Sequence, residues 1–600
     1  MTAKKWLLAA LAAAGAVAAL LLCPPDRRLM VTVVLLLAGA AGILIWSWLS
    51  AGPINVKDVT AGHGQHGKSR WMNNTEKSGI FLFVPRGKER EPAFVYDFQN
   101  GHWLADTSEH NVMLLAPPGG GKTTRIIIPT IRYNLAVNQN THGRGASMVI
   151  LDCKGELYRK NASLLQAAGY KTPALDLRNI MKSSRYNLLA NVNAAIDEYR
   201  GAADKLDKAR AYGRAERYAK VVASQLIDSD AADVKSESSD YFNETARGLI
   251  TGVILLVSEF APPQQRHIIS VFNLILEMNG QIQGAGGFGQ PQKTKMEELL
   301  EKIDDPRIRY YTGPATSADM RTSMNVFSSA LGKLVKFIDA ELEQLLIGHD
   351  KEFDARRFIH DPTALFVISP DENTTRHFIG SLLVRNIMND VIEIAENECG
   401  GVLPRKLLLL LDEFGQQPPI PDYDALSAAI RSRGGRIMIA LQDFAQLQKH
   451  YSKTKAEILR GTNQTILTSF VAPAALSTAE AISKILGNET ILTGSNSTQN
   501  GKTSSTKSLV GRPLMSPSDL IAMPAGEFIA IRGSAHPLKI VPPGYWSYLP
   551  DASEPQRQEL AYRDVQVADA DTLKARAGPL SYDLRPGMFE ISEDEEAPLR

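Results

Sequence analysis

Four residues of this 600-residue chain, Lys122, Thr123, Asp412 and Glu413, are of types and in settings suited to chemistry. The first two lie in NVMLLAPPGGGKTTRIIIPTI, residues 111–131, an apolar run followed by a glycine-rich loop and the apolar start of a helix. Backbone N–H groups of Gly119, Gly120 and Gly121 can close around phosphate oxygens. Lys122 then brings a positive charge to the β- and γ-phosphates, and the Thr123 hydroxyl is a ligand for Mg²⁺. Thr124 completes the phosphate-binding set. The pattern G-x-x-x-x-G-K-[ST] is met except at its first position, where Ala116 stands.

KLLLLLDEFG, residues 406–415, is the companion element. A strand of five leucines ending at Asp412 is expected beside the phosphate-loop strand, where its carboxylate holds Mg²⁺ directly or through water. Glu413 is then the group that orients and deprotonates an attacking water. Gln442 ends a later apolar run and is a candidate to contact the γ-phosphate or that water; a satisfied strand-end amide is the plainer alternative. Arg431, Arg433 and Arg436 surround RSRGG. Any of the three could reach a neighbouring subunit's site and stabilise transition-state charge, with Arg431 taken as the candidate. Capping of a helix C-terminus is an equally ordinary use for them. The cofactors implied are ATP and Mg²⁺.

These residues need a scaffold. SMVILDCKGELY (147–158), ALFVISPDE (364–372), GRIMIALQDF (435–444) and TILTSFVAP (465–473) are further short apolar runs ending in polar residues. Strands buried on both faces of a parallel sheet have this pattern. Helical stretches lie between them, so the expectation is a doubly wound α/β sheet with its ligands at the carboxyl ends of the strands. IFLFVP (80–85) and AFVYDF (93–98) are expected to pair as a hairpin leading into the phosphate loop. Between 200 and 340 the strand signal gives way to charged and amphipathic helical patterns, which predicts an all-α domain inserted into the sheet domain.

Residues 6–23 and 29–49 carry no charge, and each approaches the roughly 20 residues of a bilayer span. Only PPDRR separates them, so they are expected to form a transmembrane hairpin with both chain ends on one side. A body that binds ATP belongs in the cytoplasm. The organisation predicted is an anchor over 1–50, a polar linker over 51–78, a nucleotide-binding domain in two parts, 79–199 and 341–548, the inserted domain at 200–340, and a polar, acidic tail over 549–600. Within the second part, 491–508 is polar and low in complexity and is expected to be a mobile loop. Net charge is +1, so any basic surface is local. The three cysteines show no metal-binding spacing and form no disulfide framework.

Taken together, SEHNVMLLAPPGGGKTTRIIIPTI, LDCKGELY, RYNLLA, SDYFNETARGLI, LLLLDEFG and LQDFAQL occur in an order that resembles the type IV secretion coupling proteins, the TraG family of conjugation ATPases. Cys153 and Leu188 stand where that family usually has proline, and the turn between the apolar segments is short. The resemblance implies a RecA-like P-loop nucleotide-binding domain with an inserted all-α domain and a two-helix anchor in the bacterial inner membrane. It further implies a homohexamer that receives single-stranded DNA with its relaxase, or protein effectors, and passes the cargo to inner-membrane components of a type IV secretion channel by ATP hydrolysis. Two other functions keep the same motifs: a receptor scaffold that recruits cargo without moving it, and an FtsK-type double-stranded DNA translocase.

Overall fold

A computed structural model of the chain describes residues 64–228, 237–279, 294–303, 305–348, 353–370, 374–499 and 502–576, with two isolated positions nearer the N-terminus. The expected membrane hairpin and the acidic end of the tail lie outside the described residues. No helix among the described residues is long and apolar enough to cross a membrane. Among the described residues, those within Met1–Arg70 and Leu486–Leu514 belong to one compact unit, and those within Trp71–Ile485 and Met515–Arg600 belong to another.

The larger unit begins with a three-stranded antiparallel sheet of β1 (Leu82–Pro85), β2 (Phe94–Gln99) and β3 (His102–Asp106), ordered β1-β3-β2. The two runs expected to pair with each other are therefore separated by β3. The reason is the turn Asn100–Gly101, both residues at positive φ (51° and 76°). Asn-Gly is the favoured two-residue hairpin loop, and it returns the chain onto β2 at once.

The central sheet contains β4 (Val112–Leu115), β5 (Ser147–Asp152), β6 (Ala174–Asp176), β7 (Ala364–Ile368), β8 (Leu407–Leu411), β9 (Gly435–Leu441) and β10 (Thr465–Thr468). Its order is β10-β4-β9-β8-β5-β7-β6, all neighbours parallel. Two antiparallel strands, β13 (Phe528–Arg532) and β14 (Leu538–Ile540), extend the β10 edge. Every residue of β4, β5, β7, β8 and β9 is buried, as the apolar runs predict. Parallel pairing sends all their carboxyl ends to one edge. There the structure corrects the sequence reading in one respect: the Asp412 strand is not beside the phosphate-loop strand. β9 is inserted between β4 and β8, hydrogen-bonded to both. Its apolar residues from Ile437 to Leu441 satisfy burial on both faces, and its end places Gln442 between the strand ends that carry the phosphate loop and Asp412.

Helices fill the stretch between β6 and β7. Among them are Lys205–Asp228, Glu237–Phe260, Ile268–Met278, Pro306–Thr316 and Met320–Leu334. Glu237–Phe260 and Pro306–Thr316 approach closely at Gly252, where a Cβ would lie 2.5 Å from Thr312 Cγ2. Arg307 sits beside Asp305 (2.6 Å) and Glu259 (3.5 Å), with its guanidinium 3.5 Å from the centre of the Tyr212 ring.

The stretch after residue 550, expected as a plain polar tail, is tied down as far as residue 576. The Leu560 N–H donates to the Met181 carbonyl (2.6 Å) and Arg557 pairs with Asp176 (2.6 Å). Further on, Gln344 brackets both backbone groups of Arg563 (2.8 and 2.9 Å), and the Ala568 N–H donates to Ser270 Oγ (3.0 Å). A short helix, Ala570–Arg576, follows. Most of these bonds use the strap's backbone, which is why its polar composition does not reveal them.

In the smaller unit, β11 (Asn488–Gln499) and β12 (Lys502–Pro513) pair antiparallel with an uninterrupted register. The expected mobile loop at 491–508 is thus a two-stranded ribbon. Its threonines, with Ile491 and Val510, favour extended backbone even where the apolar alternation is absent.

Candidate active site

The loop after β4 turns back on itself before its helix starts. Gly119 and Gly121 both have left-handed φ (78° and 92°), which glycine adopts at no steric cost. At Gly120 a Cβ would come within 2.8 Å of Ala116 Cβ and 3.0 Å of the Pro117 carbonyl oxygen. Ala116, the departure from the glycine pattern, is a buried residue whose N–H continues the sheet by donating to Leu441 O (3.0 Å). A π-helical turn, Lys122–Ile127, leads into the helix Ile128–Asn140. Thr124 lies in this turn, half-buried.

Lys122 is only 5% exposed. Its ammonium donates to the Ala116 carbonyl (2.6 Å) and lies 3.6 Å from Glu413 Oε1. The Thr123 hydroxyl donates to Asp412 Oδ2 (2.8 Å). The other oxygen, Oδ1, accepts the N–H of Glu413 (3.0 Å). Glu413 is left-handed (φ 50°, ψ 38°), a conformation a non-glycine residue holds only where its surroundings compensate. Its Oε2 accepts from Gln442 Nε2 and from Gln416 Nε2, each at 3.2 Å. The Gln442 N–H donates to Gln446 Oε1 (2.9 Å). Gln446 also packs so tightly on Gly415 that a Cβ there would lie 2.6 Å from its side chain.

Burial pushes the Asp412 carboxyl up to about 6; the neighbouring Glu413 carboxylate adds to this, and the Thr123 hydroxyl and Lys122 ammonium oppose it. A buried carboxylate beside a hydroxyl, next to a second carboxylate, is a donor set that a divalent cation would relieve. Two oxygen donors from the protein, with the rest left to water and phosphate, suit Mg²⁺. The residues present therefore fit both the metal and a polyphosphate. Asp152, at the carboxyl end of β5, is engaged elsewhere: its Oδ2 accepts the Tyr158 N–H (2.8 Å) and so ties down the helix Glu156–Ala167.

Lys122, Thr123, Asp412, Glu413 and Gln442 thus come together as the sequence suggested, with Gly119 to Gly121 beside them. The arginines do not join them. Arg436 is buried at the opposite edge of the sheet, donating to the Asp106 carbonyl (2.7 Å) and paired with its carboxylate (3.4 Å). Arg433 is paired with Glu396 and donates to the Ala429 carbonyl (2.6 Å). Arg431 lies in the last turn of the helix Tyr423–Ser432, one strand length from its own phosphate loop; the seven residues of β9 span about 20 Å. Sequence reasoning missed Gln416 and Gln446. Each lies within four positions of a residue already singled out, but nothing in their type sets them apart from surface amides.

A glycine-rich loop, a buried lysine followed by a threonine, and an Asp–Glu strand end on a parallel sheet define the class: an α/β fold with a phosphate-loop motif at the carboxyl edge of its sheet. Residues 72–577 match the model of the family described as type IV secretory system conjugative DNA transfer, and the chain belongs to that family. It is similar to two conjugal transfer proteins TraG from Escherichia coli. One is 21% identical over 448 residues, 70% of this chain and 63% of that protein; the other is 22% identical over 527 residues, 81% and 76%. The match to VirD4 of Agrobacterium fabrum is 22% identical over 507 residues, 81% of this chain and 66% of that one. For the first TraG and for VirD4 the aligned part is thus less than two thirds of the relative's length. The fold is similar to that of the bacterial conjugative coupling protein TrwB lacking its N-terminal part, with a TM-score of 0.54, 16% identity, and 84% of this chain and all of that chain covered. TrwB in complex with ADP and Mg²⁺ gives the same TM-score at 14% identity, covering 85% and 98%.

Proposed function

We propose that this chain is a Mg²⁺-dependent ATPase that couples ATP hydrolysis to the transfer of single-stranded DNA with its relaxase, or of protein effectors, into a type IV secretion channel. One observation carries the hydrolytic part: Lys122 and Glu413 Oε1 face each other at 3.6 Å while Thr123 is bonded to Asp412 at 2.8 Å. A single cluster thus combines a phosphate-binding cation, metal-binding oxygens and a base. Bound Mg²⁺ would neutralise charge on the phosphates as it develops. Thr123 and Asp412 would hold it, and the N–H groups of Gly119 to Gly121 with Lys122 would bind the phosphates. Glu413 Oε1 accepts a proton from the attacking water as its oxygen bonds to the γ-phosphorus and the bond to the β-phosphate oxygen breaks. Gln442 fixes the other carboxylate oxygen. The binding of ADP and Mg²⁺ by TrwB supports the choice of ligands, and membership of the conjugative transfer family supports the cargo.

Arg431 belongs in this proposal as a residue acting on a neighbouring copy, because its own phosphate loop is a strand length away. A homohexameric ring at the bacterial inner membrane, anchored by residues 6–23 and 29–49 with the body in the cytoplasm, would supply that neighbour. Glu413→Gln tests the hydrolytic reading. ATP binding should persist while turnover falls about 100- to 10,000-fold, the usual contribution of a positioned base. Turnover within threefold of the parent chain would remove Glu413 from the mechanism.

A further inference from the structure

Glu413 is held more firmly than a base on a strand end requires, and the holding is asymmetric. Its two carboxylate oxygens have separate tasks. Oε1 faces Lys122 and the phosphate cradle, whereas Oε2 accepts two amide N–H groups, from Gln442 and Gln416. The second amide comes from the loop that Glu413 itself begins. Residues Phe414–Gln416 form a single 3₁₀ turn, the Gln416 N–H donates to the Glu413 carbonyl (2.9 Å), and its side chain reaches back to the carboxylate. The loop is fixed on its far side, where Ile420 N–H donates to the Tyr451 hydroxyl (3.0 Å) and Arg385 pairs with Asp422 (3.0 Å).

We infer that Gln416 is a positioning residue for ATP hydrolysis, clamping Glu413 Oε2 together with Gln442 so that Oε1 stays aimed at the cradle. The inference rests on the reading of Glu413 as the base. Gln446 supports the clamp from behind: its Oε1 accepts the Gln442 N–H, and its side chain lies against Gly415, between the two clamping amides. A carboxylate on a left-handed residue has several staggered side-chain orientations available, and one amide leaves it free to pivot about a single bond. Two donors on one oxygen fix both the tilt of the carboxylate and the direction of its free oxygen. A hydrogen bond to a charged group contributes about 1.5–3 kcal/mol, which corresponds to roughly a 10- to 100-fold change in rate when the bond acts only on the reacting geometry.

The test uses the full-length chain with Gln416→Met, which keeps the side-chain length and removes the donor, and Gln416→Glu, which places a like charge against the carboxylate. The expected result is a fall in kcat of about 10- to 100-fold for Gln416→Met and a larger one for Gln416→Glu. KM for ATP, binding of a fluorescent ATP analogue and thermal midpoint should be unchanged for Gln416→Met. Combined with Glu413→Gln, Gln416→Met should cost nothing further, because its effect passes through the carboxylate. A kcat within twofold of the parent, or a full additional loss in the Glu413→Gln background, overturns the inference. If Glu413→Gln alone keeps full turnover, the failure belongs to the assignment of the base and is visible before Gln416 is changed.

Discussion

Glu259 offers a sharp test of how the helical part of the chain is held together. It lies buried near Arg307, Asp305, Tyr212 and Arg200. Burial is the largest influence on its carboxyl and Asp305 adds to it. Arg307, Arg200 and the hydroxyl of Tyr212 oppose them, and the net effect pushes the group up to about 7 from an ordinary 4.5. Between those two values the folded chain binds a proton that the unfolded chain does not. Stability then falls as pH rises, with a slope set by the difference in bound protons. The gap of about 2.5 units, at roughly 1.4 kcal/mol each, corresponds to a loss of at most about 3 kcal/mol between pH 4.5 and 8. Glu259→Gln keeps the shape and removes the charge. Its thermal midpoint should match the parent near pH 4.5 and exceed it at pH 8, by several degrees at roughly 2–4 °C per kcal/mol. The assay is a paired melt of parent and variant across that range in one buffer series, so that other titrating groups cancel. A variant that is less stable at pH 8, or whose advantage does not change with pH, would show that Arg307 holds Glu259 ionised and that the reasoning is wrong.

Three further outcomes follow from the site and its surroundings. Arg436→Leu should destabilise the chain by about 3–5 kcal/mol, because it strips the fully buried Asp106 of one guanidinium; normal stability with lost hydrolysis would make Arg436 the finger instead. Arg431→Ala and Glu413→Gln chains should each be nearly inactive alone. Mixed 1:1 before assembly, they should regain about a quarter of parent activity, since each composite site then draws its base and its arginine from different copies. No recovery would mean that Arg431 does not act between subunits. Gly121→Ala should weaken ATP binding, because φ of 92° strains an alanine and its Cβ would lie 2.8 Å from Arg125 Cδ; unchanged affinity in an equilibrium titration would exclude the strained loop as a determinant.

Much of the site was legible from residue types alone. Gly119 to Lys122, Thr123, Asp412 and Glu413 sit at the ends of apolar runs, and parallel pairing brings such ends to one edge. What the runs do not encode is which strand lies next to which. The position of β9 between β4 and β8 follows from crossover connections, not from composition, so Gln442 reads as a strand-end amide until the order is known. Arg436 shows the converse. Its sequence neighbours made it a candidate finger, yet the carboxylate that holds it, Asp106, is 330 positions away. The ribbon of β11 and β12 was missed because its threonines carry extended propensity without an apolar alternation, and the strap beyond residue 550 because it is held through its backbone. Gln416 was hidden for a similar reason: an amide's task is set by the one oxygen it reaches.

The claim that matters most is that hydrolysis at this phosphate loop drives transfer of cargo, as distinct from merely permitting its recruitment. Transfer frequency should therefore be measured in cells carrying Lys122→Ala in place of the parent chain, with crosslinking of cargo first to this chain and then to the channel. Cargo should still reach the chain, while passage to the channel and transfer fall to background. Transfer at the parent level by Lys122→Ala would contradict the motor and leave a receptor.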